Sequence, residues 1–234
     1  MAVALYFLYE TASVRGVDMS TFRILIADDH EIVRHGIRAL LDNHAGWEVC
    51  GEATDGRQAL EKAVELRPDV VLLDVGMPNL NGLDAARQIL TACPRTRILI
   101  LTMHESEQLV REVLEVGARG FLLKSDAARD LVAAVEALQR RTTFFTSSVA
   151  EIVLNGYLNR RSDEKPIKDR LTAREREVVQ LLAEGKTSKE VAVALNLSVK
   201  TAETHRTNVM RKLDLHSVAD LVRYAVRNNI VQVV

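Results

Sequence analysis

Five polar side chains stand where apolar runs end. Phe22-Arg23-Ile24-Leu25-Ile26-Ala27 runs into Asp28-Asp29, and Val70-Val71-Leu72-Leu73 runs into Asp74. Arg97-Ile98-Leu99-Ile100-Leu101 runs into Thr102, and Gly120-Phe121-Leu122-Leu123 into Lys124. Apolar runs of this length bounded by turn signals read as strands buried on both faces. Pro78 bars a helix directly after the third run. In an open parallel sheet, the carboxyl ends of the strands are where ligands bind. Carboxylates crowded at one edge repel and persist cheaply only around a cation, and hard oxygen donors suit Mg²⁺ or Mn²⁺. A carboxylate, a divalent ion, a hydroxyl and an ammonium are the parts that hold a phosphoryl group. For any one acid the bland alternative is a loop residue that caps a helix. Repetition over four runs weighs against it.

The segments between these runs have helical patterns. The first runs from Glu31 to Asp42, with Ile32, Val33, Ile37, Leu40 and Leu41 on its apolar face. A second strand follows at Glu48 to Ala53. Asp55-Gly56 opens a helix that stops before Pro68, because a residue preceding Pro disfavours the helical region. Further helices are expected at about Leu83 to Thr91 and Glu105 to Val116, the latter ended by Gly117. Another is capped by Ser125-Asp126 and ends near Arg141. Five strands alternating with five helices predict an α/β doubly wound parallel sheet. His30 and His104 flank the acids and read as solvent-facing loop histidines, because the carboxylates already supply hard oxygen donors.

A second unit opens at Leu171. Thr172 with Glu175, and Thr187 with Glu190, are capping boxes that start two helices. Val178, Val179, Leu181 and Leu182 give the first its buried face, and Gly185 stops it. Asn196-Leu197-Ser198 is a tight turn, and Ser198 caps a longer helix from Val199 to about Leu213. That layout is a helix-turn-helix. Val199, Ala202, Val209 and Leu213 are expected to pack inward, leaving Lys200, Glu203, Thr204, Thr207, Asn208, Arg211 and Lys212 outside. A helical bundle that docks a protein is the competing reading. Short polar and basic side chains with no aromatic or Met anchor suit phosphates and base edges better. A last helix, Ser217 to Arg227, carries Leu221 and Val222 as either core or dimer contact.

Asp28-Asp29, Asp74 with Met77-Pro78, Thr102 and Lys124 resemble the signature positions of bacterial response-regulator receiver domains. Ser198-Val199-Lys200-Thr201-Ala202-Glu203-Thr204-His205-Arg206 resembles the LuxR-type recognition helix. Together they resemble the NarL/FixJ class of two-component response regulators. That resemblance implies a flavodoxin-like five-stranded receiver of strand order 2-1-3-4-5, followed by a small all-α DNA-binding domain. It implies Asp74 as the phosphoacceptor for a sensor histidine kinase. It implies Mg²⁺ held by Asp29, Asp74 and the Gly76 carbonyl, with Asp28 through water. Lys124 would pair with a phosphoryl oxygen, and Thr102 and Phe121 would form the switch. Phe121 lacks the usual hydroxyl, so switching there is by packing. Ser125 stands where many receivers have Pro. On DNA, Glu203, Thr204 and Thr207 would read bases, and Lys200, Arg206, Arg211 and Lys212 would contact phosphates.

The chain has 234 residues, enough for two domains. Residues 171–234 hold 10 Lys and Arg against 7 acids, net +3, and the remainder 21 against 25, net −4. An acidic front and a basic tail suit a metal site and a polyanion site. Cys50 and Cys93 fit no metal spacing and read as reduced core thiols of a cytoplasmic protein. No run reaches transmembrane length, so no membrane role is expected. Residues 1–20 read as an extension from a mis-set start or as unstructured chain. The apolar segment Met1 to Tyr9 lacks the basic region and cleavage site of a signal peptide. The receiver is placed at 21–141, a linker with one helix (Ser147 to Leu158) and a polar tether at 142–170, and the DNA-binding domain at 171–234. Phosphorylation is expected to yield a homodimer. A phosphatase with a covalent aspartyl intermediate competes, but Gly76 stands where its general acid belongs. A pseudo-receiver that only dimerises competes too, and the complete five-residue site weighs against it.

Overall fold

The computed structural model describes residues 21–103, 105–146, 149–152 and 171–231. The expected extension at 1–20, His104 and the tether at 159–170 lie outside the described residues. Five strands form one parallel sheet in the order β2-β1-β3-β4-β5: β1 (Phe22–Ala27), β2 (Trp47–Ala53), β3 (Val70–Asp74), β4 (Arg97–Thr102) and β5 (Gly120–Leu123). Between them lie α1 (Glu31–Asp42), α2 (Gly56–Leu66), α3 (Gly82–Ala92) and α4 (Glu107–Val116), and α5 (Ala127–Gln139) follows β5. Alternate strand residues face opposite sides, as the strand period requires. Leu25, Val71, Leu73, Ile98, Ile100 and Phe121 pack with α2, α3 and α4. Ile24, Ile26, Val70, Leu72, Leu99 and Leu101 pack with α1 and α5. All five residues of β3 are buried, which explains why its sequence is apolar without alternation.

Several ends differ from expectation. Helix α4 starts two residues late, because Ser106 accepts from the Leu109 amide and so takes the N-cap. Ser125-Asp126 do not cap α5 with a side chain. Lys124–Asp126 form a 3₁₀ turn, and Asp126 pairs with Arg129 instead. Residues placed in the linker belong in part to the receiver. Phe144 bridges to Gly120, accepts from the Phe121 amide at 3.0 Å and donates to Arg119 at 3.0 Å. Phe145, Val149 and Ile152 pack on the receiver core. This segment covers the open edge of β5, an edge that is otherwise a liability.

The second unit comprises α6 (Ala173–Ala183), α7 (Ser188–Ala194), α8 (Val199–Lys212) and α9 (Val218–Arg227). Both capping boxes close with both bonds, and Ser198 and Ser217 cap α8 and α9. Its core joins Val178, Val179, Leu181, Val191, Leu195, Ala202, Val209 and Leu221. Leu221, at 1% exposure, is therefore a core residue and not a dimer contact. Val199 is 40% exposed, against the expected inward packing. It begins α8, whose buried positions are Ala202 and Val209. Among the described residues no helix is long and apolar enough to cross a membrane.

The two units touch along α6. Residues 177–182 are all buried, so this helix has no solvent face over that stretch. Arg176 Nε lies 3.0 Å from Asp84 Oδ1, Arg57 Nη2 lies 3.3 Å from Glu177 Oε2, and Gln88 Nε2 donates to Glu177 Oε1 at 3.1 Å. Asn81 Nδ2 donates to the Ile230 carbonyl at 3.3 Å.

Candidate functional site

The parallel order sets β1 beside β3, so their ends bring Asp28, Asp29 and Asp74 together. Asp28 and Thr102 are fully buried, and Asp74 is 3% exposed. Lys124 Nζ enters from the end of β5, 2.7 Å from Asp28 Oδ2 and 3.0 Å from Asp74 Oδ1. Donor atoms of Asp28, Asp29, His30 and Asp74 lie within 4.8 Å of one another, a spacing that a single cation can bridge. The donor set is mainly carboxylate oxygen, which fits Mg²⁺ or Mn²⁺.

Burial pushes the Asp74 carboxyl up to about 6; Lys124 opposes this, and the neighbouring Asp28 and Asp29 charges add to it. Burial lowers Lys124, but its bonds and attraction to Asp74 and Asp28 outweigh that and hold it above the ordinary lysine range. Asp74 is thus a carboxylate in an environment that favours neutralising its charge, by a proton, a cation or a covalent bond to phosphorus.

Local backbone fixes this arrangement. The Asp28 amide donates to the Ala53 carbonyl, and Arg34 Nη1 donates to the Asp28 carbonyl at 2.9 Å. Val75 continues the ladder to the Leu101 carbonyl, and the Gly82 amide returns to the Val75 carbonyl at 3.0 Å. A Cβ on Gly82 would sit 1.9 Å from the Asp74 carbonyl oxygen. The expected helix began only at Leu83; the contact that demands glycine at position 82 comes from a strand end eight residues earlier. His30 lies in a loop and is exposed, as expected, yet it also reaches the acids. Its Nδ1 lies 2.8 Å from Asp29 Oδ1 and 3.2 Å from Asp28 Oδ1, so it is engaged with the acids although its side chain is 59% exposed. Phe121, the expected packing switch, is fully buried under α4 with the α2–α3 side of the sheet.

Residues 24–136 match the response regulator receiver domain family, and residues 169–225 match the bacterial regulatory proteins of the luxR family. The chain is 39% identical over 210 residues to the transcriptional regulatory protein LiaR of Bacillus subtilis, spanning 89% of this chain and 99% of that one. It is a two-component response regulator of the NarL/FixJ class. The oxygen regulatory protein NreC of Staphylococcus haemolyticus is 38% identical over 213 residues, 89% of this chain and 98% of NreC. Among solved structures, RcsB from Salmonella enterica serovar Typhimurium, bound to promoter rprA in the presence of the phosphomimetic BeF3⁻, shares 30% identity. That match covers 87% of this chain and 98% of RcsB, with a TM-score of 0.56. A LuxR-family response regulator from Aurantimonas shares 34% identity over 60% of this chain and all of its own, with a TM-score of 0.56. Families of this kind regulate transcription and are phosphorylated for control; they are not enzymes.

The regulator's α8 presents Lys200, Glu203, Thr204, Thr207 and Arg211 to solvent, with Arg206 and Lys212 half-buried. Lys212 Nζ lies 2.7 Å from Glu175 Oε2, the carboxylate that also closes the first capping box. Against its burial, those bonds from Lys212 and Thr172 hold Glu175 below the usual carboxylate range. Lys212 thereby ties the end of α8 to the start of α6. Arg211 bonds Asn208 Oδ1 at 3.1 Å, and the Thr204 hydroxyl donates to the Lys200 carbonyl. Docking on the receiver through α6 leaves the outer side of α8 open.

Proposed function

We propose that this regulator takes a phosphoryl group onto Asp74 from a sensor histidine kinase in the cytoplasm, dimerises, and binds a two-fold operator. The observation that carries the reading is the buried Asp28–Lys124–Asp74 contact at the carboxyl edge of the sheet. An Asp74 oxygen attacks phosphorus in line, the phosphorus–nitrogen bond breaks, and its electron pair stays on the kinase imidazole. Asp28, Asp29, Asp74 and the Gly76 carbonyl would hold a Mg²⁺ or Mn²⁺ ion, which when bound would supply charge neutralisation. Lys124 moves from its two carboxylates to a phosphoryl oxygen. Thr102 donates its hydroxyl to another, and Phe121 repacks without a hydroxyl of its own. The promoter-bound RcsB with a phosphomimetic supports the link from loading to DNA.

Adding Mg²⁺ and acetyl phosphate is expected to raise affinity for a palindromic operator at fixed salt, and EDTA to cancel the rise. A complete switch, from 1:99 to 99:1, requires about 5.5 kcal/mol of differential energy, so a partial response is expected. Equal affinity with and without loading would refute the coupling.

On the operator, Glu203, Thr204 and Thr207 read bases, while Lys200, Arg206, Arg211 and Lys212 contact phosphates. Thr207→Ala is expected to relax preference at particular base pairs, by about 1–3 kcal/mol for a lost good contact. Lys200→Ala is expected to weaken all sequences alike and to reduce the salt slope by about one. Lys212→Ala carries a smaller salt effect than Lys200→Ala, because Glu175 already neutralises it. A changed base preference in Lys200→Ala with an unchanged slope would reverse the assignment.

A further inference from the structure

His30 opens α1, at the position where a helix favours Ser, Thr, Asp or Asn because their side chains satisfy its first amides. Its backbone is extended, at φ −88° and ψ 111°, but its ring makes no cap bond. The ring turns back over the acids instead. Nδ1 lies 2.8 Å from Asp29 Oδ1 and 3.2 Å from Asp28 Oδ1, and the His30 amide donates to that same Asp28 oxygen at 2.9 Å. One residue thus reaches Asp28 twice, while Lys124 stands 2.7 Å from the other Asp28 oxygen. His35, further along α1, points elsewhere: its Nε2 faces Glu31 at 3.9 Å, in the open.

The spacing around Nδ1 suits shared coordination. Donors about 2.1 Å from one octahedral ion and at right angles stand about 3.0 Å apart, and opposite ones about 4.2 Å. The two His30 distances fall on either side of the first figure, and Asp28, Asp29, His30 and Asp74 each keep a donor atom within 4.8 Å of the others. A ring N–H donating to Asp29 gives the same distances. That reading leaves three carboxylates facing one ammonium, Lys124, among the described residues. A hydrogen bond from a neutral ring does not remove such a deficit of positive charge, and a divalent ion does.

We propose that His30 is a direct nitrogen ligand, through Nδ1, of the cation at the phosphoacceptor site, and that it biases the site from Mg²⁺ toward Mn²⁺. The proposal rests on the reading of Asp28, Asp29 and Asp74 as cation ligands given above. Mg²⁺ is hard, dehydrates reluctantly and takes oxygen. Imidazole nitrogen is a softer donor that first-row transition ions accept. Mn²⁺ therefore gains from His30, and Mg²⁺ gains little.

The test uses the full chain with Mn²⁺ and Mg²⁺ as probes. With substoichiometric Mn²⁺ the electron spin echo is recorded, because a nitrogen nucleus bonded to the ion modulates it. The wild type is expected to show that modulation and His30→Asn to lack it. Asn is a preferred cap, so α1 keeps its start in the variant. Titration calorimetry is expected to show the preference for Mn²⁺ over Mg²⁺ falling about tenfold or more in His30→Asn, since even a partner behind a ligand is worth that much. An echo without nitrogen modulation in the wild type overturns the proposal and leaves His30 as a hydrogen-bond donor to Asp29. Modulation that persists in His30→Asn overturns it too, by giving the nitrogen to another residue. A metal preference unchanged in the variant overturns the bias. Mn²⁺ binding undiminished in Asp74→Asn places the ion elsewhere, and the site reading falls with the proposal. Binding that Asp74→Asn weakens, without nitrogen modulation in the wild type, removes the role of His30 alone.

Discussion

Asp74→Asn is expected to take up no base-labile phosphoryl label from acetyl phosphate and Mg²⁺, where the wild type labels readily. The carboxamide is nearly isosteric and removes a charge that burial already disfavours. The fold should therefore persist, and the loss of label reports chemistry alone. Lys124 keeps its contact with Asp28 in the variant, so the neighbouring cation is not orphaned. EDTA gives the same loss in the wild type, because without a cation the acids repel the incoming phosphoryl group. Gel electrophoresis with labelled donor decides it. Full labelling of Asp74→Asn would move the acceptor to another carboxylate, with Asp29, the most exposed of the three acids, first in line.

Gly82→Ala is expected to be severely damaging to the receiver. The added carbon would stand 1.9 Å from the Asp74 carbonyl oxygen, 2.8 Å from its carbon and 3.0 Å from Val75 Cα. All three atoms are backbone, so no side chain can swing aside. The end of β3 and the start of α3 must part, at a cost of about 1–3 kcal/mol or more. Parting them by even about 1 Å misplaces the nucleophile and lowers the rate of labelling on the order of a hundredfold. Gly36→Ala is the control. It lies inside α1 with nothing within 4 Å of its Cβ, and it is expected to stabilise by about 0.5–1 kcal/mol. Urea midpoints measured side by side check both signs. Equal midpoints for the two variants would mean that the close approach at Gly82 carries no weight.

The receiver was legible in the sequence because its information is local. Buried parallel strands must be continuously apolar, as β3 is, and the residues that break such runs are the ones placed at the sheet edge. Caps were legible for the same reason. Asp55, Thr172, Thr187 and Ser198 each accept from their own helix within three residues. What stayed hidden depends on contacts far apart in the chain. Glu177, Gln180 and Glu184 fall on one stripe of α6 at spacings of three and four. Such a polar stripe beside an apolar one reads as a solvated face. Here it is buried against another domain. Nothing within α6 itself distinguishes the two cases. Glu184 records the difference in its chemistry, since burial raises its carboxyl above the ordinary range. The engagement of His30 was hidden by a related ambiguity: a loop histidine next to two acids looks the same whether it faces them or faces water.

The docked domain keeps the outer side of α8 uncovered, and this changes what activation has to accomplish. A regulator whose reading helix is masked must first be unmasked before it can find DNA at all. Here each molecule meets DNA in either condition, so inactive copies can sample non-specific duplex through their phosphate contacts. Control then falls on how long a molecule stays. In the dimer proposed above, a second module bound on the same operator must also let go before the complex leaves, which lengthens residence while the rate of encounter changes little.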